Sequence, residues 1–237
     1  MTVAELAQAG HVVSDAEHAL LAQFIELLLR ENEKLNLTAI RDVETAWAKH
    51  ICDSLAVLPL IDALEARTIV DLGSGGGLPG VPIACLRPKL NVTLVDSTAK
   101  KVAAVERIVS ELKLRNVRLI AERAEVLAHQ PPHRERYDAV LARAVGTLDM
   151  LLEWASGFCK VEGQCWLYKS IEAAEVETER AETVAARCAL DYDDTYVYTL
   201  PAGHGDRAIV IYSKVEPLPR DLPRPPWQAK KKPLSER

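Results

Sequence analysis

Along the first part of the chain, apolar residues recur at the spacing of an α-helix. Ser14 and Glu17 have the positions of a capping box, and apolar residues follow at helical spacing from Leu20 to Leu28. A second helical stretch is predicted over residues 43–57, just before a proline. The pattern therefore predicts an N-terminal helical segment over residues 1–66.

From Thr68 onward, short β-branched runs alternate with helical stretches. Strands are predicted at 68–72, 91–95, 116–121, 137–142 and 163–169, and helices at 80–87, 98–113, 147–159 and 172–189. This alternation favours a parallel sheet with helices on both faces. Two final runs, 195–200 and 207–213, predict an antiparallel pair at the sheet edge. Residues 67–215 are thus predicted to form an α/β domain with a seven-stranded, mostly parallel sheet.

Composition and charge narrow the class of protein. The chain has 237 residues, 49% hydrophobic and 27% charged, with a formal net charge of −5. These values exclude disordered, collagen-like and coiled-coil proteins. They argue against nucleic acid covering the whole surface, but they allow a local basic patch. Acids concentrate in residues 170–194. Bases concentrate in the proline-rich residues 216–237, which predict either an extended, mobile RNA-binding arm carrying Lys230, Lys231 and Lys232 or a tail that only aids solubility.

Targeting and redox signals point to the cytoplasm. No apolar run approaches the roughly 20 residues of a membrane helix, and the first ten residues carry none of the basic side chains of a secretory signal. The five cysteines form no C-x-x-C motif. We therefore expect buried free thiols, no disulfide framework and no metal site.

A glycine cluster between the first predicted strand and the next helix is the main candidate for ligand binding. Ligands of open α/β sheets bind at the carboxyl ends of the strands, where this cluster lies. Gly75, Gly77 and Gly80 have dinucleotide-fingerprint spacing, and Asp96 follows about 20 residues later. However, the first glycine of that fingerprint directly follows its strand, whereas here Gly73 and another residue intervene.

A second pattern fits the register better. Asp71-x-Gly73-x-Gly75-x-Gly77 resembles the first motif of Rossmann-like, class I methyltransferases that use S-adenosylmethionine. In that pattern Asp71 suits the ammonium of the cofactor, and Asp96 ends the second strand, where it would accept hydrogen bonds from both ribose hydroxyls. The alternative for Asp71 is a strand-end carboxylate that caps loop amides.

The residues after the fourth strand bear on the type of methyl transfer. Residues 141–146 lack the Asn/Asp-Pro-Pro-aromatic motif of exocyclic amine methylation, a cysteine nucleophile and a carboxylate cluster. A substrate atom with its own lone pair remains, such as a purine N7, and such an atom needs no general base. Arg143, at the end of that strand, is suited to hold base or phosphate acceptors, or to form a salt bridge with a neighbouring acid.

The chain closely resembles the bacterial 16S ribosomal RNA guanine-N7 methyltransferases of the RsmG/GidB family over about residues 20–215. The resemblance rests on residues 35–40 (LNLTAI), Lys49-His50, Asp53-Ser54-Leu55, residues 77–82 (GLPGVP), Val95-Asp96-Ser97, Lys100-Lys101 and Ala142-Arg143-Ala144. It implies a cytoplasmic enzyme that uses S-adenosylmethionine to modify one guanine of the small ribosomal subunit. We expect it to act as a monomer.

The resemblance also implies roles for particular residues. The cofactor-binding residues are expected to be Asp71, Gly73, Gly75, Gly77, Leu78, Asp96, Ala124, Glu125 and Arg143. Arg143 is also the expected catalytic residue, beside the cofactor and the substrate pocket. Apart from the resemblance, basic and polar residues near the active face are candidate RNA contacts or, alternatively, solvated surface groups: Lys34, Asn36, Arg41, Lys49, His50, Lys100, Lys101 and Lys169. Val145 stands where the family often has phenylalanine.

Overall fold

A computed structural model describes residues 1–225 and residue 234. Its N-terminal helices are α1 (Val3–Gln8), α2 (Asp15–Asn32), α3 (Val43–Ala46), a π-helical segment (Trp47–Cys52), α4 (Asp53–Leu55) and α5 (Leu58–Ala63). The predicted capping box is confirmed, since Ser14 accepts from the Glu17 amide while the Glu17 carboxylate accepts from the Ser14 amide. The predicted helix over 43–57 is interrupted instead by the π-helical turn, and Pro59 lies in the first turn of α5, where it replaces no hydrogen bond.

The remaining chain forms seven strands with helices between them. The strands are β1 (Thr68–Leu72), β2 (Asn91–Asp96), β3 (Val117–Ala121), β4 (Tyr137–Arg143), β5 (Cys159–Lys169), β6 (Leu190–Thr199) and β7 (Asp206–Lys214). The helices are α6 (Gly80–Leu86), α7 (Ala99–Glu111), α8 (Ala124–Leu127), α9 (Leu148–Ser156) and α10 (Ile171–Arg187). All predicted strands are present. The short helices α1 and α8 were not predicted, because one or two turns carry too little periodicity.

The strand order across the sheet is β3-β2-β1-β4-β5-β7-β6. Strands β1 to β5 are parallel, and β6 and β7 form the predicted antiparallel pair at the edge. Strand β7 also pairs antiparallel with β5. The chain moves to one side from β1 and to the other side from β4. The carboxyl ends of β1 and β4 therefore border the crevice where ligands bind in open α/β sheets.

Two apolar clusters cover the two faces of the sheet, and β1 contributes to both. Ile69 belongs to the cluster that includes Phe24 of α2. Val70, the next residue, belongs to the cluster that includes Leu151 of α9. Adjacent strand residues point to opposite faces, so the N-terminal helices cover one face and α9 and α10 cover the other.

The first part of the predicted basic arm is packed against the domain. Leu218 and Leu222 are buried in the cluster of α9, and Arg134 donates to the carbonyls of residues 218, 219 and 222. The Arg224 guanidinium donates to both carboxylate oxygens of Glu153, at 2.8 and 2.7 Å. The prediction of an extended, mobile arm is therefore wrong for residues 218–224, because apolar burial and this ion pair hold them. Lys230, Lys231 and Lys232 lie outside the described residues.

One sheet edge is formed by β6, which carries Asp191, Asp193 and Asp194, and its pairing register with β7 shifts between Tyr192 and Asp194. All five cysteines are buried free thiols. Within the described part of the chain, no helix is long and apolar enough to cross a membrane.

Candidate active site

The glycine loop after β1 is held by two carboxylates, those of Asp71 in β1 and Asp96 at the end of β2. Asp71 Oδ2 accepts a hydrogen bond from the Gly80 amide at 2.9 Å. Asp96 accepts from the Gly75 amide at 3.0 Å and from the Thr98 amide at 2.8 Å. A Cβ at Gly80 would lie 2.2 Å from Leu94 Cδ2, so only glycine lets α6 begin this close to the sheet.

A cavity of about 440 Å³, which we call the first cavity, opens beside this loop at the ends of β1, β2 and β3. Its size is typical of a small-molecule site. The predicted cofactor residues that line it are Gly73, Asp96, Ala124 and Glu125, and the predicted RNA contact Lys101 lines it as well. The other lining residues are Leu72, Val95, Ser97, Thr98, Glu122, Arg123, Ala144, Val145, Met150 and Trp154.

Five residues predicted to bind the cofactor do not line the first cavity: Asp71, Gly75, Gly77, Leu78 and Arg143. Asp71 is fully buried, and its second oxygen, Oδ1, has no hydrogen-bond partner among the described residues. Burial raises the pKa of Asp71 to about 7. Asp71 thus has no surface to offer a ligand, and of the two roles considered the structure gives it the capping of a loop amide.

Gly75 and Gly77 shape the loop through their backbone. Both have positive φ angles, +53° and +84°, as does Gly73 at +72°. Only glycine adopts such angles without a steric cost. A Cβ at Gly77 would lie 2.7 Å from Val81 Cγ2, whereas one at Gly75 would have no neighbour within 3.9 Å. Gly75 and Gly77 thus act through the path of the loop backbone, while Gly73 lines the cavity and Leu78 is buried.

A second cavity, of about 380 Å³, lies on the other side of the segment that follows β4. Ala144 lines both cavities, and its φ of +57° is unusual for a residue other than glycine. The second cavity is lined by Lys49, His50, Asp53, Arg143, Ala144, Gly146, Tyr168, Lys169, Ser170, Tyr198, Leu200 and Arg207. It therefore combines the π-helical segment with the ends of β4 and β5 and with the turn between β6 and β7.

Arg143 belongs to the second cavity and does not line the first. Its Nη1 donates to Asp53 Oδ2 at 2.5 Å and to the Lys49 carbonyl at 3.1 Å. The Tyr198 hydroxyl donates to the other Asp53 oxygen at 2.6 Å. The salt-bridge alternative for Arg143 is thus realised, and the expected contact with the cofactor is not supported. The salt bridge fixes the guanidinium at the wall of the second cavity.

His50 is a buried, uncharged member of the same network. Its Nε2 lies 2.7 Å from Thr38 Oγ1, and its Nδ1 lies 3.2 Å from the Lys49 carbonyl. Burial, and next the charge of Arg143, lower the pKa of His50 to about 4. His50 stays a predicted RNA contact, and its imidazole is neutral at physiological pH. Asn32, which the sequence analysis missed, orders the Thr38 loop by accepting from the amides of Leu37 and Thr38.

Lys169, another predicted RNA contact, forms hydrogen bonds and an ion pair within the protein. Its Nζ donates to the Gly146 carbonyl at 2.6 Å and to Glu177 Oε2 at 2.7 Å. Glu177 also accepts from the Leu148 amide at the start of α9. Because its partners hold the ammonium, Lys169 fixes the segment between the two cavities and has little charge left for RNA.

The other predicted RNA contacts lie on the surface or at the cavity walls. Lys34, Asn36, Arg41 and Lys100 are exposed, and Lys34 lies 3.9 Å from Glu31. Lys49 is half-buried. Sequence reasoning missed Arg207 and Tyr198 altogether. Both come from the edge hairpin, and only the pairing of β7 with β5 and β6 brings them to the site.

Comparison with known proteins agrees with this architecture. A family model described as rRNA small subunit methyltransferase G matches residues 17–198. The protein named ribosomal RNA small subunit methyltransferase G from Carboxydothermus hydrogenoformans is 37% identical over 228 residues, which cover 96% of each chain. The protein of that name from Halalkalibacterium halodurans is 35% identical, covering 97% of this chain and 96% of its own.

Solved structures support the fold. M. jannaschii TYW2 in complex with AdoMet aligns with a TM-score of 0.51 and 16% identity, covering 68% of this chain and 77% of its own. The 16S rRNA (adenine(1408)-N(1))-methyltransferase from Catenulisporales acidiphilia aligns with a TM-score of 0.51 and 13% identity, covering 67% of this chain and 93% of its own.

Proposed function

The chain belongs to the rRNA small subunit methyltransferase G family, and on that premise we propose that it methylates N7 of one guanine in 16S ribosomal RNA. The methyl donor is S-adenosylmethionine. The observation that carries the proposal is the pair of cavities that share Ala144. A cofactor in the first and a base in the second would meet across a single residue.

The residues of the first cavity fit the cofactor. Asp96 points a carboxylate into the cavity, and each of its oxygens has a lone pair beyond the one that accepts from Gly75 or Thr98. It can therefore hold ribose hydroxyls. Three carboxylates, Asp96, Glu122 and Glu125, line the cavity against two cations, Lys101 and Arg123. A negative balance suits a ligand with a sulfonium and an ammonium.

The second cavity suits a guanine. In the exposed edge of a purine, guanine presents the acceptors N7 and O6, whereas adenine presents a donor at the position of O6. Arg143 carries only donors and is fixed by Asp53, whose other carboxylate oxygen accepts from Tyr198. It is therefore placed to hold O6 and to disfavour adenine, which leaves the N7 lone pair free.

The reaction needs orientation rather than proton transfer. Bound S-adenosylmethionine supplies a methyl group that is already activated, and guanine N7 carries no proton. The contribution of the chain is to hold the base at near-attack distance, roughly 3–3.5 Å. We assign no general base, and His50, neutral and hydrogen-bonded to Thr38, is not needed as one.

Methyl transfer from labelled S-adenosylmethionine tests the proposal. Naked 16S RNA and small subunits are incubated with the protein, and modified nucleosides are then identified by mass spectrometry. We expect label in 7-methylguanosine at one position, and no transfer when the RNA is digested with RNase before the protein is added. Label in protein or in small molecules, or label at a different base atom, would contradict the proposal.

Two further parts of the proposal concern where and in what form the protein acts. We place it in the cytoplasm, because ribosomal subunits are assembled there. The monomeric state stays a prediction, which light scattering at several protein concentrations can test.

A further inference from the structure

The four cationic side chains that line the second cavity are of two kinds. Arg143 and Lys169 form short ion pairs, with Asp53 and Glu177 respectively. Lys49 and Arg207 also line the cavity, and among the described residues no carboxylate lies within 4.0 Å of either charged group. Two positive charges at this cavity thus have no ion-pair partner within 4.0 Å among the described residues.

The backbones that carry the two free cations are well anchored. Arg143 donates to the Lys49 carbonyl, which fixes the π-helical segment against β4. Arg207 is opposite Tyr198 in the β6–β7 pairing, and Tyr198 is in turn bonded to Asp53. Both side chains are half-buried. The two charges therefore belong to fixed strands and turns rather than to a flexible tail.

Nearby acids do not neutralise Arg207. The Asp206 carboxylate accepts from the Thr199 hydroxyl, and only the Asp206 carbonyl accepts from Arg207 Nη1, at 3.0 Å. The pKa of Glu172 is lowered first by its own backbone amide and by Ser170, and Arg207 adds to this lowering from a distance. Most of the guanidinium donors thus remain available to a ligand.

We propose that Lys49 and Arg207 form a phosphate subsite that holds a backbone phosphate of the target nucleotide while Arg143 holds its base. This inference rests on the proposed function. A guanidinium can bind a phosphodiester through two parallel hydrogen bonds, and a lysine adds a point charge. An anion here would supply the counter-charge that no carboxylate within 4.0 Å provides, and it would not compete with Asp53 or Glu177.

Charge-removing variants of the full-length protein test the subsite. Arg207→Gln and Lys49→Gln are compared with Arg180→Gln, a matched control at an exposed position of α10 away from both cavities. The measurements are the affinity for 16S RNA at several salt concentrations, KM and kcat for methyl transfer, and the affinity for S-adenosylmethionine.

We expect each subsite variant to bind RNA roughly tenfold more weakly, and to reduce the slope of log affinity against log salt by about 0.7. KM for RNA should rise more than kcat falls, and cofactor affinity should be unchanged. Arg207→Lys should keep the salt slope but recover only part of the affinity, since it loses the bidentate geometry. Arg180→Gln should behave as the wild type.

The outcomes separate the subsite from the proposed function. If the wild type methylates RNA and both subsite variants have the salt slope of Arg180→Gln, the subsite is refuted and the function stands. If the wild type places no label in RNA, the function itself fails. Loss of cofactor affinity in Arg207→Gln would indicate a structural role for Arg207, and Lys49→Gln and Arg207→Lys would then decide whether the phosphate contact exists.

Discussion

The two cavities differ in the sign of their charge although they share a wall. The first is lined by more carboxylates than cations, and the second by four cations, of which Arg143 pairs with Asp53 and Lys169 with Glu177. Ala144 separates them. A chain with a net charge of −5 can therefore present a positive site to RNA, because a ligand responds to the local potential and not to the total charge.

The supports of the two cavities differ as well. The first rests on Asp71, whose pKa burial raises to about 7, and the second rests on His50, whose pKa burial lowers to about 4. In both cases burial favours the neutral form. Each cavity thus rests on a buried group whose neutral form is favoured, whereas the charged side chains Asp96 and Arg143 both line a cavity and hold backbone groups.

The largest effect that we predict tests whether cofactor binding in the first cavity is independent of RNA binding in the second. Asp96→Ala removes the acceptor for the ribose and for two loop amides, and each charged hydrogen bond is worth about 1.5–3 kcal/mol. The dissociation constant for S-adenosylmethionine, measured by calorimetry, should rise by at least about 100-fold. The dissociation constant of Asp96→Asn should lie between those of the wild type and Asp96→Ala. RNA affinity should not change. A parallel loss of RNA affinity would show that the two cavities do not bind their ligands independently.

The next largest predicted effect concerns Asp71, which supports the glycine loop, and the pH dependence of the free energy of unfolding. In the folded protein Asp71 binds its proton up to about pH 7, whereas the unfolded chain releases it near pH 4. The free energy of unfolding therefore falls as the pH rises through this window. Between pH 5 and pH 8, wild type should lose about 3 kcal/mol more stability than Asp71→Asn.

Denaturant unfolding at the two pH values measures this difference. Asn can still accept from the Gly80 amide. His50 contributes with the opposite sign, its stability being lost as the pH falls from about 6.5 towards 4, but it is present in both proteins. An equal pH dependence in the two proteins would show that Asp71 is ionised in the fold.

For the second cavity, Asp53→Asn should impair chemistry without affecting the cofactor. Asparagine can accept from Tyr198 or Arg143 but does not carry the charge that fixes the guanidinium. A small displacement of an orienting group costs up to about 100-fold in rate, so we expect kcat to fall by up to that factor. Tyr198→Phe should have a smaller effect in the same direction. A change in calorimetric affinity for S-adenosylmethionine would contradict this assignment.

The smallest effect distinguishes two glycines of one loop. A Cβ at Gly73 would lie 2.6 Å from Val145 Cγ2 at the wall of the first cavity, whereas a Cβ at Gly75 would meet its nearest neighbour at 3.9 Å, an ordinary contact. Both substitutions to alanine carry the left-handed backbone cost, about 1–2 kcal/mol. Cofactor affinity should fall further in Gly73→Ala than in Gly75→Ala, and Val145→Ala should partly restore it in the double variant. Equal losses would indicate that only the backbone matters.

Sequence patterns predict the first cavity better than the second. The strands around Ile69 and Val92 and the glycine loop are local signals, and Asp96 follows from its register in β2. The second cavity depends on contacts between distant segments, such as Arg143 with Asp53 and Tyr198 with Asp53. No local sequence pattern predicts that Lys169 forms an ion pair with Glu177, or that Arg207 lines the second cavity.

The aspartates of β6 have a consequence for how the protein behaves at high concentration. A free sheet edge invites strands of other molecules to add to it, and this is one route to aggregation. Asp191, Asp193 and Asp194 would bring like charges together in such an addition, and the irregular register beside Tyr192 disturbs the regular spacing that an incoming strand needs. The edge strand is thereby protected against cross-β self-assembly.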